Sequence, residues 1–250
     1  MKSIINKKQI LVIGSNAAII KNSINFFLEQ NYEVIGVSKN NKLSPKLKKN
    51  KNFTFYKFDL YNQFNKINDL CKKIQKKFPY INTIIHAQGG SLGHKEIISE
   101  YKKWEESWKV NFACSIIINN YFLKNFEKNK YGRILHIGST ATNLKKGSAT
   151  YSSTKAATYD YVRKMGNNFA NKNIYINCIK TSIVSDKFNN WNKFEKKSSD
   201  KAIKKLLSEN LSTQKFGRSE YFTPLIEYLC SKKNQFITGS IIDIDGGFLK

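Results

Sequence analysis

Gln9-Ile10-Leu11-Val12-Ile13-Gly14 is a short apolar run closed by a glycine. A run of this length, bounded by a turn residue, reads as a strand buried on both faces. The period then changes: Ile19, Ile20, Ile24, Phe27 and Leu28 fall at helical spacing. Tyr32-Glu33-Val34-Ile35-Gly36-Val37 returns to strand. Strand, glycine turn, helix and strand make a βαβ unit. Its two strands run parallel because the crossover helix must pack back onto the sheet.

The alternation continues along the chain. Phe53 to Phe58, Ile81 to His86, Arg133 to Ile137, Ile174 to Ile179 and Ser240 to Ile244 read as further strands. Helical periodicity covers Asn62 to Lys77, about Glu100 to Phe126, Thr150 to Ala170 and Ser219 to Cys230. This predicts an α/β chain forming one domain over residues 1–250, a doubly wound, seven-stranded parallel sheet of Rossmann type with helices on both faces. The one long stretch of weak pattern is Ser182 to Asp200, polar but interspersed with Phe188, Trp191 and Phe194. It begins at a strand's carboxyl end, where open α/β sheets bind ligands, and so reads as a lid over the substrate.

Composition narrows the classes. The 250 residues are 40% hydrophobic, enough for one sizeable core. No run approaches the roughly 18 apolar residues of a membrane span, and the start has no secretory pattern. A cytoplasmic protein without membrane attachment is expected. Cys71, Cys114, Cys178 and Cys230 are far apart, which predicts reduced, buried thiols and no zinc site. The net charge is +25, but only Arg133, Arg163 and Arg218 are arginine and the lysines are scattered. That argues against sequence-specific nucleic-acid binding, which favours arginine clustered on one element.

The chemistry gathers around Tyr151-Ser152-Ser153-Thr154-Lys155. Residues four apart share a helix face. An ammonium beside a phenol favours phenolate, so Tyr151 is a candidate proton donor and acceptor. Gly14, His86-Ala87-Gln88-Gly89 and Ser139 stand at strand ends, and Asn111 lies within the long helix. His86 reads as structural or cofactor-contacting, and His94 and His136 lack metal-like partners. Glu105 and Glu106 read as solvated helix charges. Asp243 and Asp245 read as turn or subunit contacts.

In this order and spacing the chain resembles the short-chain dehydrogenase/reductase family from Gln9 to Phe248. Gly132-Arg133-Ile134-Leu135-His136-Ile137-Gly138-Ser139, Tyr151-x-x-x-Lys155 and the closing Ile237-Thr238-Gly239 with Asp245-Gly246-Gly247 are its most specific motifs. The nearest-looking branch contains 3-oxoacyl-carrier-protein reductases and sugar or polyol dehydrogenases. The resemblance implies a catalytic set of Asn111, Ser139, Tyr151 and Lys155. Tyr151 is then the acid, Lys155 its activator and ribose ligand, Ser139 the polariser of the carbonyl, and Asn111 the holder of a relay water. It also implies a dinucleotide contacted by Gly14, Ser15, Asn16, Ala18, Ile19, Ser38, Lys39, Asp59, Leu60, Ala87, Gln88, Gly89, Tyr151, Lys155 and Ile183. No metal is implied. The expected substrate is a small molecule or a carrier-linked group, and the expected assembly is a homodimer or homotetramer.

The chain departs from the family at three places. The second and third glycines of the phosphate loop are Ala18 and Ile20, and Ile20 is expected to push the first helix outward or to need a smaller neighbour. Thr181-Ser182 replaces a Pro-Gly. The Ser139-to-Tyr151 interval of 12 is one short of the branch's usual spacing. Strand two ends in Ser38-Lys39 with no acid, which favours NADP(H) over NAD(H). The altered loop leaves an alternative open: a non-catalytic, dinucleotide-binding or scaffold member of the same fold.

Overall fold

The structure, a computed structural model, describes residues 8–41, 43–94, 96–144, 148–186 and 189–249. All seven expected strands form: β1 (Gln9–Ile13), β2 (Glu33–Ser38), β3 (Phe53–Lys57), β4 (Ile81–His86), β5 (Gly132–Ile137), β6 (Ile174–Lys180) and β7 (Ile241–Asp243). They make one parallel sheet, ordered β3-β2-β1-β4-β5-β6-β7. The chain reverses its direction of travel between β1 and β4, which opens a crevice at their carboxyl ends.

Nine α-helices are described: α1 (Lys21–Glu29), α2 (Pro45–Lys49), α3 (Ile67–Lys77), α4 (Tyr101–Trp108), α5 (Cys114–Asn129), α6 (Ala149–Phe169), α7 (Asn190–Lys197), α8 (Asp200–Asn210) and α9 (Ser219–Cys230). Side chains of β1 alternate between two cores, as the pleat requires. Leu11 and Ile13 join residues of α3, α5 and α6; Ile10 and Val12 join residues of α1 and α9. Both faces are therefore covered, which explains why every residue of β1 is buried. A third, smaller cluster of Ile183, Leu207, Leu211 and Phe216 lies beneath α8.

Three features differ from expectation. The long helix from Glu100 is not uniform: between α4 and α5, Lys109–Ala113 widens into a π turn. The stretch 182–200 is half helical, since α7 occupies it, while Phe188 lies outside the described residues. α8 was not anticipated. Ser199 caps it by accepting from the Ala202 N–H, and Ile203, Leu206 and Leu207 form its apolar stripe.

All four cysteines are buried and free, and burial pushes the thiols of Cys71, Cys114 and Cys178 up to about 12. Among the described residues no helix is long and apolar enough to cross a membrane.

Candidate active site

The crevice at the β1–β4 reversal is a cleft of about 250 Å³. Gly14, Ser38, Lys39, Asp59, Leu60, Ala87, Gln88 and Gly89 line it, eight of the residues expected at the cofactor. Gly14 has φ +78°, and a Cβ there would press into the backbone of Ala87 and Gln88. Only glycine lets the two strand ends approach this closely. Ser15 is buried behind the wall, and Asn16 donates its N–H to Ser38 Oγ at 3.1 Å.

The substituted phosphate loop leaves the cleft open. Ile20 is fully buried in the core shared with Ile10, Val12, Ile24 and Phe27, away from the cleft wall. A 3-10 turn over Ala18–Ile20 precedes α1 and carries the side chain inward. Ile20 therefore gives no steric ground for the non-catalytic alternative. Of the remaining expected contacts, Ala18 is absent from the wall, Ile19 packs in the same core, and Ile183 packs beneath α8. Ala17, Phe58, Tyr61, Leu92, Glu106 and Val110 complete the lining.

Glu106 is not simply a solvated charge: it faces the cleft and lies 3.4 Å from His94 Nε2. Lys39 also has a partner, Asp59, at 2.9 Å. Burial works to raise the Asp59 carboxyl. Hydrogen bonds from Lys39, Tyr61 N–H and Asn62 outweigh it and hold the group below the usual range.

The expected catalytic residues approach the end of β5. α6 starts at a Ser148 cap, whose Oγ accepts from the Tyr151 N–H at 3.3 Å. This places Tyr151 in the first turn and Lys155 one turn later. The Lys155 ammonium is buried, 5.6 Å from the Tyr151 ring centroid, and donates to the Ile137 carbonyl at 2.8 Å. Ser139 follows two residues after Ile137. Its Oγ accepts from the Ala141 N–H at 3.2 Å.

Asn111 sits within the π turn, a feature that recurs at functional sites. Its side-chain amide ties elements together. Oδ1 accepts from Gly90 N–H at 2.9 Å, and Nδ2 donates to Gly90 O, Ser107 O and Ser107 Oγ at 3.1 to 3.2 Å. The amide thus fastens the loop after β4 to α4.

Two residues near this centre were missed or underread. Tyr159, four residues beyond Lys155 on the same face of α6, brings its hydroxyl to the Ser139 backbone; the repeated interval was the available signal. His86 and His136, register partners on β4 and β5, stack at 4.6 Å with 20° between ring planes. Asn119 links them: its Oδ1 accepts from His86 Nε2 at 2.8 Å, and its Nδ2 reaches His136 Nε2 at 3.4 Å. Burial pushes His86 down to about 4 and His136 well below the ordinary range, with the Lys155 charge acting in the same direction. Both imidazoles are neutral at physiological pH. Asp243 pairs with Lys180 at 2.9 Å, and Asp245 accepts from the Gly247 and Phe248 N–H groups, as a turn residue does.

Comparison with known proteins bears on the same crevice. A sequence profile described as short chain dehydrogenase matches residues 8–197. The 3-oxoacyl-[acyl-carrier-protein] reductase FabG of Buchnera aphidicola subsp. Schizaphis graminum (strain Sg) is 26% identical over 250 residues, covering 97% of this chain and 98% of its own. ElxO, solved with NADP bound, superposes with a TM-score of 0.82 at 25% identity, covering 96% of this chain and 98% of its own. 4-Hydroxyisoleucine dehydrogenase, solved with NADH, superposes with a TM-score of 0.86 at 25% identity and the same coverage.

Proposed function

The chain belongs to the short chain dehydrogenase family and is an NAD(P)-dependent dehydrogenase/reductase, and from that premise we propose that it interconverts a ketone and a secondary alcohol using NADP(H). The supporting observation is the bond from the Lys155 ammonium to the Ile137 carbonyl at the end of β5, two residues before Ser139, with Tyr151 one helical turn from Lys155.

The cleft suits a dinucleotide. Gly14 leaves the backbone room that a Cβ would fill, and the Lys155 ammonium has three donors, of which one meets the Ile137 carbonyl. Gly14, Ser15 and Asn16 would hold the diphosphate. Asp59, Leu60, Ala87, Gln88 and Gly89 would flank the adenosine and the nicotinamide ribose. Ser38 and Lys39 would take a 2′-phosphate. Lys39 is 66% exposed, and a surface ion pair such as its bond to Asp59 is worth about 1 kcal/mol or less, so a phosphate competes for it readily. NADPH, when bound there, would supply the hydride for the substrate carbon. Ser139 donates to the carbonyl oxygen as negative charge grows there. Tyr151 gives that oxygen its proton, with the Lys155 ammonium 5.6 Å from its ring.

The substrate class is a ketone on an acyl thioester or a sugar. The acyl-carrier reading is supported by the name of the Buchnera relative, which spans nearly the whole chain. Exposed Tyr101 and Trp108 on α4 support a homodimer or homotetramer, which sedimentation would measure. A cytoplasmic location fits the lack of a spanning helix among the described residues.

Titration with NADPH and with NADH, followed by nicotinamide fluorescence, tests the proposal. The expected result is at least tenfold tighter binding of NADPH. No binding of either at millimolar concentration would sink it, and tighter NADH binding would reverse the cofactor choice.

A further inference from the structure

The proposed chemistry requires Ser139 to present a hydroxyl proton to the reacting oxygen. Three contacts determine how that side chain stands. Its Oγ accepts from the Ala141 N–H, which occupies a lone pair and leaves the hydroxyl proton free to be donated. Its N–H donates to Tyr159 Oη at 2.8 Å. Its carbonyl accepts from the same Tyr159 hydroxyl at 2.6 Å. One phenol therefore closes on both peptide groups of a single residue and holds it in extended backbone, φ −155° and ψ 144°.

The arrangement depends on residue 138. A Cβ on Gly138 would lie 2.7 Å from the Tyr159 ring and 2.8 Å from its oxygen. Glycine is what lets the ring pass under the end of β5. Tyr159 is buried, and burial raises its phenol, so the hydroxyl keeps its proton and can donate and accept together. It is placed by the same helix that carries the acid. Tyr151, Lys155 and Tyr159 fall at four-residue intervals on α6, so Tyr159 lies about 12 Å along the axis from Tyr151.

We infer that Tyr159 is a positioning residue for Ser139, gripping its backbone so that the Ser139 hydroxyl and the Tyr151 phenol are held by one rigid helix at a set separation. This rests on the oxidoreductase reading for its consequence in turnover, but the grip itself does not.

Tyr159→Phe removes only the oxygen. In the full chain without ligand, amide hydrogen exchange at Ser139 is expected to accelerate at least tenfold, while exchange along β5 is unchanged. NADPH affinity is expected to stay within about twofold. With NADPH and a short 3-oxoacyl thioester as probe, kcat is expected to fall 10- to 100-fold with little change in KM, the scale of loss that a misplaced group produces. In a Ser139→Ala background the same substitution is expected to cost less than twofold, because there is no hydroxyl left to misplace. An equal loss in both backgrounds would overturn the inference, as would unchanged Ser139 exchange. Should Tyr159→Phe fail to fold, Gly138→Ala displaces the ring from the other side and must give the same pattern. If the unmodified protein binds NADPH but reduces no ketone, the reading of the site fails, and Ser139 exchange alone still decides whether the grip exists.

Discussion

Replacing Tyr151 by Phe deletes one oxygen from α6 and leaves the packing of the ring in place. If Tyr151 is the acid, turnover falls roughly 10²- to 10⁴-fold, the usual worth of a positioned proton donor. NADPH affinity, read by nicotinamide fluorescence, changes little. Retained turnover would remove Tyr151 from the mechanism. Asn111 makes a different prediction because its amide joins two backbone segments. Asn111→Leu keeps the volume but removes both hydrogen bonds to the half-buried Gly90 backbone, a loss of about 1–3 kcal/mol at roughly 0.5–1.5 for each bond. Denaturant unfolding should show that loss in the absence of any ligand. The sequence pointed to Asn111 through its place in a motif. Ser107, four residues earlier, follows from helix spacing, but Gly90 was not legible, because it reaches Asn111 only when the loop after β4 folds back on the helix.

At the scale of elements, a polar junction ties α7 to the start of α9. Arg218, just before α9, donates to Glu195 on α7 and to the Ser185 carbonyl at 3.0 Å. The Arg218 hydrogen bonds hold the Glu195 carboxyl below its usual range. Both side chains are partly exposed, so the junction is worth roughly 1 kcal/mol. Such a contact can keep a lid in place without locking it. Glu195→Gln is expected to raise the rate of proteolysis within α7 severalfold while the global unfolding midpoint moves little, and to raise KM if the segment covers substrate. An unchanged cleavage rate would mean that apolar packing, such as Phe194 against the cluster of Ile183, Leu207, Leu211 and Phe216, is enough to hold α7. The stretch looked patternless because α7 has no fully buried residue and carries its aromatic side chains among lysines. Helix α8 had readable signals, a serine cap and an apolar stripe, but the preceding lysine run obscured where it began.

Across the whole molecule, the buried histidine pair couples the core to pH. A folded pKa of about 4 for His86 lies below the ordinary 6.5. The unfolded chain therefore binds a proton that the folded chain refuses between those values. The resulting stability is fully present above pH 6.5 and is lost as pH falls towards 4, by on the order of 3 kcal/mol for His86 alone. His136 shifts the same way and adds to it. Urea unfolding should give a lower stability at pH 5 than at pH 7. His86→Asn, which keeps a polar group opposite Asn119, should flatten that dependence. A pH-independent stability in the unmodified protein would contradict neutral burial of the pair. The histidines were individually visible in the sequence, but their stacking required the β4–β5 register, which no local pattern specifies.

Period and punctuation along the chain determined the class of fold: apolar strands, helices at 3.6-residue spacing and glycine at the turns leave a parallel, two-sided sheet as the arrangement that buries them all. The four-residue interval on α6 likewise placed Tyr151 and Lys155 on one face, because helix geometry is local. Tertiary structure alone decided what those faces meet. It turned Ile20 into the core, paired Lys39 with Asp59, stacked His86 on His136 and brought the Tyr159 hydroxyl to Ser139. Each of these joins residues distant in sequence, and their meeting depends on how helices and strands pack, which intrinsic preferences along the chain do not encode.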